Sequence, residues 1–209
     1  MKYRFVTIEG CIGAGKTTLA QKLAGEFQAT LILEQFEDNP FLPKFYEDPQ
    51  RHAFPVELYF MAERFQQLKS LLSAGDLFSQ FTVSDYLFQK SLIFATNNLQ
   101  PDEARLYRML FDIINPNLPK PDLTIYLYAP IDKLLHNIKK RGRSFEQQIS
   151  ADYLEHIQRA YLDFFKFQQD QSKVLLVDTT QLDFAERESD YAFLKSLLEQ
   201  NYTNGITRV

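Results

Sequence analysis

The segment Gly10–Thr17 constrains the fold of this chain more than any other part of the sequence, because it has the form G-x-x-x-x-G-K-T. A β-rich run over residues 3–9 precedes it, and a helical pattern that includes Leu19, Leu23 and Phe27 follows it. A strand, a glycine-rich loop and a helix, in that order, are the context in which this pattern forms a phosphate-binding loop, or P-loop. The sequence therefore predicts that the chain binds a nucleoside triphosphate.

The loop carries the groups that a triphosphate needs. Its glycines let consecutive backbone N–H groups point into one concavity, and the start of the helix adds a partial positive charge. Lys16 is placed to reach the outer phosphates, and the Thr17 hydroxyl to ligate Mg²⁺. A chance glycine-rich turn before a structural helix is the alternative, but it does not account for both flanks. We expect ATP, or another nucleoside triphosphate, to contact Gly10, Cys11, Ile12, Gly13, Ala14, Gly15, Lys16, Thr17 and Thr18.

The composition limits the partners and the compartment. The chain has 209 residues, which is the length of one domain with a full hydrophobic core. Its 23 basic and 27 acidic side chains give a net charge of −4, which argues against a nucleic-acid polymer as a partner. The sequence shows no apolar run long enough to span a bilayer and no basic, apolar leader. The single cysteine, Cys11, fits a reducing compartment, so we expect a cytoplasmic protein that binds no membrane.

Five short apolar runs predict the strands of the fold, at residues 3–9, 31–33, 81–83, 123–128 and 174–177. Helical patterns separate these runs, which is typical of an α/β protein whose parallel sheet is covered by helices on both faces. Together with the P-loop, this predicts a P-loop NTPase fold with five parallel strands and a flexible tail over residues 201–209. Ligands of such sheets bind at the carboxyl ends of the strands. That edge carries the P-loop, Glu34, Asp85 and the segment after Tyr128.

Three features of this edge suggest phosphoryl transfer. Glu34 follows the second strand, where a carboxylate can accept a proton from an attacking hydroxyl, although a capping or surface glutamate is the alternative. Asp85 follows the third strand, where a carboxylate can hold Mg²⁺ directly or through water, although it can equally cap the next helix. Arg141 and Arg143, in the positive segment 139–143, suit a mobile lid over phosphates. The alternative for that segment is a solvated helix end.

Three segments together resemble the deoxynucleoside kinase family in order and spacing: Gly10–Thr18, residues 34–42, and Arg141–Arg143 with Glu146. The sequence is most similar to the bacterial deoxyadenosine/deoxyguanosine kinase branch, from the P-loop to about residue 180. Thymidylate kinases share the fold and the P-loop, but they are expected to carry glutamate-proline-glycine where this chain has Glu34-Gln35-Phe36. The resemblance implies a homodimeric enzyme that uses ATP and Mg²⁺ to phosphorylate the 5′-hydroxyl of a small-molecule deoxynucleoside, a purine.

The resemblance also implies roles for individual residues. Glu34 would be the general base that takes the proton of the 5′-hydroxyl. Tyr46 and Glu146 would hold the sugar 3′-hydroxyl. Arg141 and Arg143 would be the lid arginines that stabilise the transferring phosphoryl group, within a lid over residues 141–149.

The base site has its own set of implied residues and one departure from the family pattern. Phe94 would stack against the base, and Arg64 would lie in the base pocket. Glu57 stands where family members usually carry a glutamine. A carboxylate only accepts hydrogen bonds, so it suits the two adjacent donors of guanine, whereas an amide suits the acceptor and donor of adenine. We therefore expect a preference for deoxyguanosine, unless Glu57 simply pairs with Arg64 or another cation.

A second departure concerns the acid-arginine-serine element that the family carries after the third strand. This chain has Ser84-Asp85-Tyr86, with no arginine. An alignment without a gap places Ser84 on the acid, and one deletion places Asp85 there. Metal chemistry favours Asp85, because serine supplies no charge. Lys90, one turn onward, is the candidate to fill the place of the missing arginine near the reacting hydroxyl.

Two other functions fit parts of the sequence. A nucleoside monophosphate kinase of the thymidylate kinase type shares the P-loop but needs extra cations for the phosphate of its acceptor. A nucleotide-binding switch would use the triphosphate to order loops that engage a partner protein. The switch does not account for the aligned Glu34, Tyr46 and Glu146, so it ranks behind the monophosphate kinase.

Overall fold

The structure, a computed structural model, describes residues 2–36, 38–74 and 81–209, with only the backbone described for residues 71–74. Residue 37 of the family-like segment 34–42 lies outside the described residues. Six parallel strands form one sheet in the order β2-β3-β1-β4-β5-β6. Their bounds are β1 Phe5–Gly10, β2 Thr30–Ile32, β3 Thr82–Ser84, β4 Leu123–Tyr128, β5 Lys173–Asp178 and β6 Gly205–Arg208.

Helices connect the strands and flank the sheet, as the alternating pattern predicted. Within the described residues, no helix has the length and apolar character needed to cross a membrane. The helices are α1 Lys16–Phe27, α2 Leu42–Glu47, α3 Pro49–Ala74, α4 Lys90–Asn98, α5 Pro101–Ile114, α6 Ile131–Arg141, α7 Ala151–Phe167 and α8 Glu188–Leu197. The α/β fold with a parallel sheet is therefore confirmed.

The prediction of five strands is wrong, because a sixth strand, β6, lies within residues 201–209. The flexibility of these residues stays a prediction. Strand β6 pairs with β5 from Gly205 opposite Lys173 to Arg208 opposite Leu176. Val209 continues the ladder, since its N–H donates to the Leu176 carbonyl at 2.9 Å. The pattern gave no sign of this strand because its four residues include one strongly apolar side chain, Ile206, which is only partly buried. Backbone hydrogen bonds, rather than apolar periodicity, define the strand.

The core has two parts, and the cleft described below lies where they meet. The first part packs the sheet against α1, α6, α7 and α8 and includes Ile125 and Leu127, both almost fully buried in β4. Strands of this kind read as continuous apolar runs because both of their faces are covered. The second part is aromatic-rich and joins α2, α3, α4 and α5, with Phe88 stacked on Phe111 at 5.1 Å between ring centroids.

The strand order brings the candidate residues together. Because β2, β3 and β1 are neighbours and parallel, their carboxyl ends lie side by side at one edge of the sheet. Glu34 follows β2, Asp85 follows β3, and the P-loop follows β1. Three segments that are far apart in sequence therefore meet at one place.

The sixth strand can be tested by deleting residues 205–209. We expect the free energy of unfolding to fall by roughly 1–3 kcal/mol, because β5 loses one of its two ladder partners and the core loses the packing of Ile206. Urea denaturation of the deleted and full-length chains measures the difference. Equal midpoints would show that the tail frays in solution, as the sequence pattern indicated.

Candidate active site

The P-loop wraps tightly around the start of α1. Gly13 and Gly15 both have left-handed backbone angles, with φ of 85° and 89°. A Cβ at Gly13 would lie 2.7 Å from the Leu134 carbonyl oxygen, and one at Gly15 would lie 2.8 Å from the Phe184 ring. Contacts this short exclude any side chain at the two positions. The two glycines thus allow both the left-handed backbone angles of the loop and its close packing against Leu134 and Phe184.

Lys16 folds back onto the loop. Its Nζ donates to the carbonyl oxygens of Gly10 at 2.9 Å and Cys11 at 3.0 Å. Burial lowers the pKa of Lys16, and the positive charge of Lys90 adds to this effect. Cys11 contributes its backbone here, while its buried thiol contacts the Leu154 carbonyl and burial raises the pKa of that thiol to about 11.

Glu34 lies between two cations. Its Oε1 accepts hydrogen bonds from Arg64 Nη2 at 2.5 Å and Nε at 3.0 Å, and its Oε2 lies 2.5 Å from Lys90 Nζ. Burial alone would raise the pKa of Glu34, but Lys90 and Arg64 hold it well below its usual range. Glu34 is therefore an ionised carboxylate at neutral pH, rather than a capping or surface residue.

Asp85 joins the ends of the strands to the P-loop. Its Oδ2 accepts a hydrogen bond from Thr17 Oγ1 at 2.5 Å, and its Oδ1 accepts one from the Glu34 backbone N–H at 2.8 Å. Burial raises the pKa of Asp85, and the negative charge of Glu34 adds to the rise. The alternative residue, Ser84, is buried and bonds to the backbone of Tyr86. Asp85, and not Ser84, therefore contacts Thr17 of the P-loop.

The two arginines of the expected lid are held by Glu146. Helix α6 ends at Arg141, and Gly142 follows with φ of 76°, a left-handed angle that turns the chain. Glu146 accepts hydrogen bonds from Arg141 and, at 3.2 Å, from Arg143. The Arg143 guanidinium also lies 3.5 Å from the centroid of the Phe36 ring. Phosphate-binding candidates and a sugar-binding candidate are thus in direct contact.

Aromatic rings surround the space between these groups. The ring of Tyr46 stacks on Phe145 with centroids 6.1 Å apart, which brings α2 against the lid segment. Lys90 Nζ lies 5.4 Å from the centroid of Phe94, whose other side meets Tyr161 edge-on at 6.3 Å. Flat apolar walls of this kind suit a planar ring.

Glu57 has surroundings unlike those of Glu34. It is buried in α3, and its Oε1 accepts a hydrogen bond from Asn98 Nδ2 at 2.7 Å. Burial raises its pKa to about 7. The expected alternative, an ion pair with Arg64, is not formed, because Arg64 pairs with Glu34 instead.

One cavity brings together nearly all the residues singled out from the sequence. Its lining contains Lys16, Thr17, Glu34, Tyr46, Glu57, Arg64, Asp85, Lys90, Phe94, Arg141, Arg143 and Glu146. Ile12 lines this cavity as well, whereas Gly13, Ala14, Gly15 and Thr18 line a second cavity. The two cavities share the lining residues Lys16, Thr17, Arg141 and Arg143. Gly10 and Cys11 line neither of the two, and their carbonyls receive Lys16.

Sequence reasoning missed several residues that build this region. Glu9 is fully buried at the end of β1, where its carboxylate accepts hydrogen bonds from the Leu87 N–H at 2.7 Å and the Tyr161 hydroxyl at 2.8 Å. A charged residue inside an otherwise apolar strand was a visible signal. Asn98 and Phe184 carried no such signal, because their contacts form only in the folded chain, where Asn98 reaches Glu57 and Phe184 lies close to Gly15.

A family model and the sequences of known proteins both identify the same family for this chain. A family model described as deoxynucleoside kinase matches residues 6–201. The chain is 38% identical over 190 residues to the deoxyguanosine kinase of Bacillus subtilis (strain 168), which covers 90% of this chain and 92% of that relative. It is 34% identical over 167 residues to the deoxyadenosine/deoxycytidine kinase of the same strain, with coverage of 77% and 76%.

A solved structure agrees with these relatives. The deoxyadenosine kinase from M. mycoides, with the products dCMP and a flexible dCDP bound, has a TM-score of 0.81 and 25% sequence identity to this chain. The match covers 93% of this chain and 98% of that one. Together the comparisons favour a nucleoside kinase over a monophosphate kinase or a nucleotide-binding switch. The chain belongs to the deoxynucleoside kinase family and is an enzyme of that class.

Proposed function

We propose that this enzyme transfers the γ-phosphoryl group of ATP to the 5′-hydroxyl of a purine deoxynucleoside, with deoxyguanosine preferred. The observation that carries the proposal is the single cavity that joins the P-loop lysine, the paired carboxylate Glu34, the lid arginines and an aromatic-walled base site. The relatives named above are a deoxyguanosine kinase and a deoxyadenosine/deoxycytidine kinase, and a purine deoxynucleoside is the substrate class that their names share, which supports the choice of a purine. The 38% identity to a deoxyguanosine kinase supports the preference.

Mg²⁺ would be held by the Thr17 hydroxyl and the Asp85 carboxylate. These two groups are in contact across 2.5 Å, so they converge on one point beside the P-loop. One carboxylate and one hydroxyl fit an ion that keeps several waters and takes its remaining ligands from phosphates. When bound, the ion would neutralise charge on the phosphate oxygens.

Glu34 would orient the attacking hydroxyl by accepting its hydrogen bond. Because Lys90 and Arg64 lower the pKa of Glu34, this carboxylate is a weak base before substrate binds. Phosphoryl transfer through a loose transition state needs a well-placed nucleophile more than a strongly deprotonated one. The bond from the γ-phosphorus to the 5′-oxygen would form as its bond to the β-phosphate oxygen breaks, so that ADP leaves and the proton of the hydroxyl passes to Glu34.

The remaining residues would hold the substrates. Arg141 and Arg143 would leave Glu146 to contact the transferring phosphoryl group, where guanidinium forks match phosphate oxygens. Glu146 and Tyr46 would hold the sugar 3′-hydroxyl. Phe94 would stack on the base, whose edge would face Glu57.

The first test is a transfer assay with purified protein, ATP and Mg²⁺, offered each deoxynucleoside and each deoxynucleoside monophosphate. We expect phosphorylation of deoxyguanosine, and of deoxyadenosine more slowly. Glu34→Gln keeps the shape of the side chain but loses its charge, and we expect kcat to fall by about 10²–10⁴-fold. The exposed Glu155→Gln in α7 is the matched control. Transfer to monophosphates alone, or an unchanged kcat in Glu34→Gln, would refute the proposed reaction.

We also propose that Lys90 replaces the arginine missing after β3, because its Nζ reaches Glu34 at 2.5 Å. We expect Lys90→Met to lower kcat by roughly tenfold or more, and Lys90→Arg to restore most of it. The depressed pKa of Glu34 contributes stability above its unfolded pKa, and this contribution is lost as pH falls. Lys90→Met should therefore lower the free energy of unfolding at pH 7 by roughly 1–3 kcal/mol, less than a fully broken buried pair because Arg64 remains.

Urea denaturation at neutral and acidic pH, together with steady-state kinetics, measures both effects of Lys90→Met. Its control is Lys166→Met, which removes an exposed ion pair with Asp163 and should change little. A Lys90→Met variant with unchanged kcat would make Lys90 a structural residue only.

The enzyme would act as a homodimer joined through α5. This helix buries Tyr107 and Phe111 but exposes Leu106, Met109 and Ile113, whose exposed fractions are 49%, 61% and 69%. The three exposed side chains are spaced three and four residues apart, so they form one apolar stripe along the helix. A second copy of the same stripe is a suitable cover for it.

The dimer predicts a change of mass in solution. We expect sedimentation equilibrium to give a dimer for the native chain and a monomer for the double variant Met109→Glu with Ile113→Glu, because the buried charges repel one another. Phe167→Glu, at a position that is 90% exposed at the end of α7, is the control and should remain a dimer. A double variant that keeps the dimer mass would place the interface elsewhere.

A further inference from the structure

Glu57 is a buried carboxylate that lies in the cavity without a bound cation. Its exposed fraction is 3%, and among residues 2–36, 38–74 and 81–209 no salt bridge to it is found. Burial raises its pKa to about 7, so the ionised and protonated forms are both populated near neutral pH. Glu57 can therefore present either a carboxylate or a protonated carboxyl group to a ligand.

Asn98 fixes how Glu57 is presented. Its Nδ2 donates to Glu57 Oε1 at 2.7 Å and to the Tyr153 hydroxyl at 3.3 Å, while its Oδ1 accepts from Asn97 Nδ2 at 2.9 Å. Since the amide oxygen is already occupied, the NH₂ group must face Glu57. In the part of the chain that the structure describes, no hydrogen bond to Glu57 Oε2 is found. That oxygen, and the remaining lone pair of Oε1, are left for a ligand.

Charged, polar and titratable groups from five helices and from the segment after β2 surround Glu57 and affect its ionisation. Arg64 and Lys90 are positive and favour the ionised form, while Glu34 is negative and opposes it. Burial raises the pKa of each neighbouring tyrosine above its usual value, so these rings stay neutral at pH 7. The groups are Arg64 in α3, Lys90 and Asn98 in α4, Glu34 after β2, Tyr46 in α2, Tyr107 in α5 and Tyr153 in α7.

The two forms of Glu57 match two different purine edges. An ionised carboxylate accepts two hydrogen bonds, which fits the adjacent N1–H and 2-amino donors of guanine. A protonated carboxyl group donates one hydrogen bond and accepts another, which fits N1 and the 6-amino group of adenine. The protonated form thus offers the same donor and acceptor as the glutamine amide it replaces.

We propose that Glu57 selects guanine when it is ionised and adenine when it is protonated, with Asn98 as the positioning residue that holds it towards the base. This inference rests on the proposed function, because it requires the purine edge to face Glu57. The preference of one enzyme for deoxyguanosine over deoxyadenosine would then change with pH. Buried mismatched donors or acceptors are costly, which makes such discrimination effective.

The size of the effect follows from one proton. If each purine binds only its matching form, the ratio of kcat/KM for deoxyguanosine to that for deoxyadenosine rises about tenfold per pH unit. Neither purine titrates between pH 6 and pH 8. Ionisations elsewhere in the enzyme that affect both substrates equally cancel from the ratio. The ratio is therefore a selective readout of the group that contacts the base edge.

The test measures this ratio from about pH 6 to pH 8 in the native enzyme, in Glu57→Gln and in Glu63→Gln. Glu63 lies in the same helix but does not line the cavity, so it is the matched control. We expect the ratio to rise with pH in the native enzyme and in Glu63→Gln, and to be flat in Glu57→Gln. A ratio that is flat in the native enzyme, or equally steep in Glu57→Gln, would overturn the inference.

Asn98→Ala separates a positioning role from a merely structural one. Removing the Asn98 donor disfavours the ionised carboxylate, so the pKa of Glu57 should rise and the pH dependence of the ratio should move to higher pH. A purely structural role would lower both kcat/KM values together and leave the position of the curve unchanged.

A binding measurement distinguishes failure of this inference from failure of the proposed function. In protein carrying ¹³C-labelled glutamate carboxyl groups, saturation with deoxyguanosine should lower the pKa of Glu57, and deoxyadenosine should raise it. The Glu57→Gln spectrum assigns the signal. Shifts in the same direction would refute the selection by ionisation even if both nucleosides are phosphorylated. Opposite shifts without phosphorylation would support it and place the failure in the catalytic proposal.

Discussion

The pairing of Glu34 with Arg64 and Lys90 sets the electrostatics of the whole cleft. The two cations come from α3 and α4, and the carboxylate lies just beyond β2, so the pairing ties the helical second core to the edge of the sheet. Arg64 also donates to Ser91 Oγ at 2.7 Å, which fixes its guanidinium between the two helices. Because a buried charge left without its partner is costly, these positions depend on one another.

This pairing also explains why neighbouring carboxylates behave differently. Arg64 is engaged by Glu34 and Ser91, so Glu57, on the same helix, has an amide as its hydrogen-bond partner instead of a cation. Glu9 lies further inside and is bonded to two backbone N–H groups and the hydroxyl of Tyr161, where burial raises its pKa. Environments that separate the pKa values of like groups are a feature of enzyme active sites.

The parts of this structure that the sequence predicted are those set by local pattern. The sequence predicted a strand, a glycine-rich turn and a helix around Gly10–Thr17, because the glycines and Lys16 are contiguous and the flanking segments have strand and helix patterns. It also predicted that Glu34 and Asp85 lie at one edge of the sheet, because each follows a parallel strand. The roles of these residues in binding and catalysis stay predictions. The number of strands was wrong because β6 depends on pairing with β5 and hardly on its own side chains.

What the sequence could not predict is which partner each polar side chain would take. Arg64 was placed in the base pocket, and Glu57 was considered as its partner, yet Arg64 bonds to Glu34, 30 residues away. Asn98 carried no signal at all, since its importance comes only from the meeting of α4 with α3 and α7. The hydrogen-bond partner of a buried polar side chain is decided by competition among the groups that surround it in the fold. The order of residues along the chain does not say which groups those are.

The lid shows the same competition at the phosphate end of the cleft. The cations expected to bind phosphate each contact the protein: Lys16 donates to two loop carbonyls, and Arg141 and Arg143 pair with Glu146. The sugar 3′-hydroxyl would donate to the same two oxygens of Glu146 that accept from the arginines, so it would share their negative charge. Under the proposed roles, occupation of the sugar site therefore weakens the hold of Glu146 on the arginines. The arginines would then bind phosphate most strongly when the deoxynucleoside is in place. This limits transfer of the phosphoryl group to water.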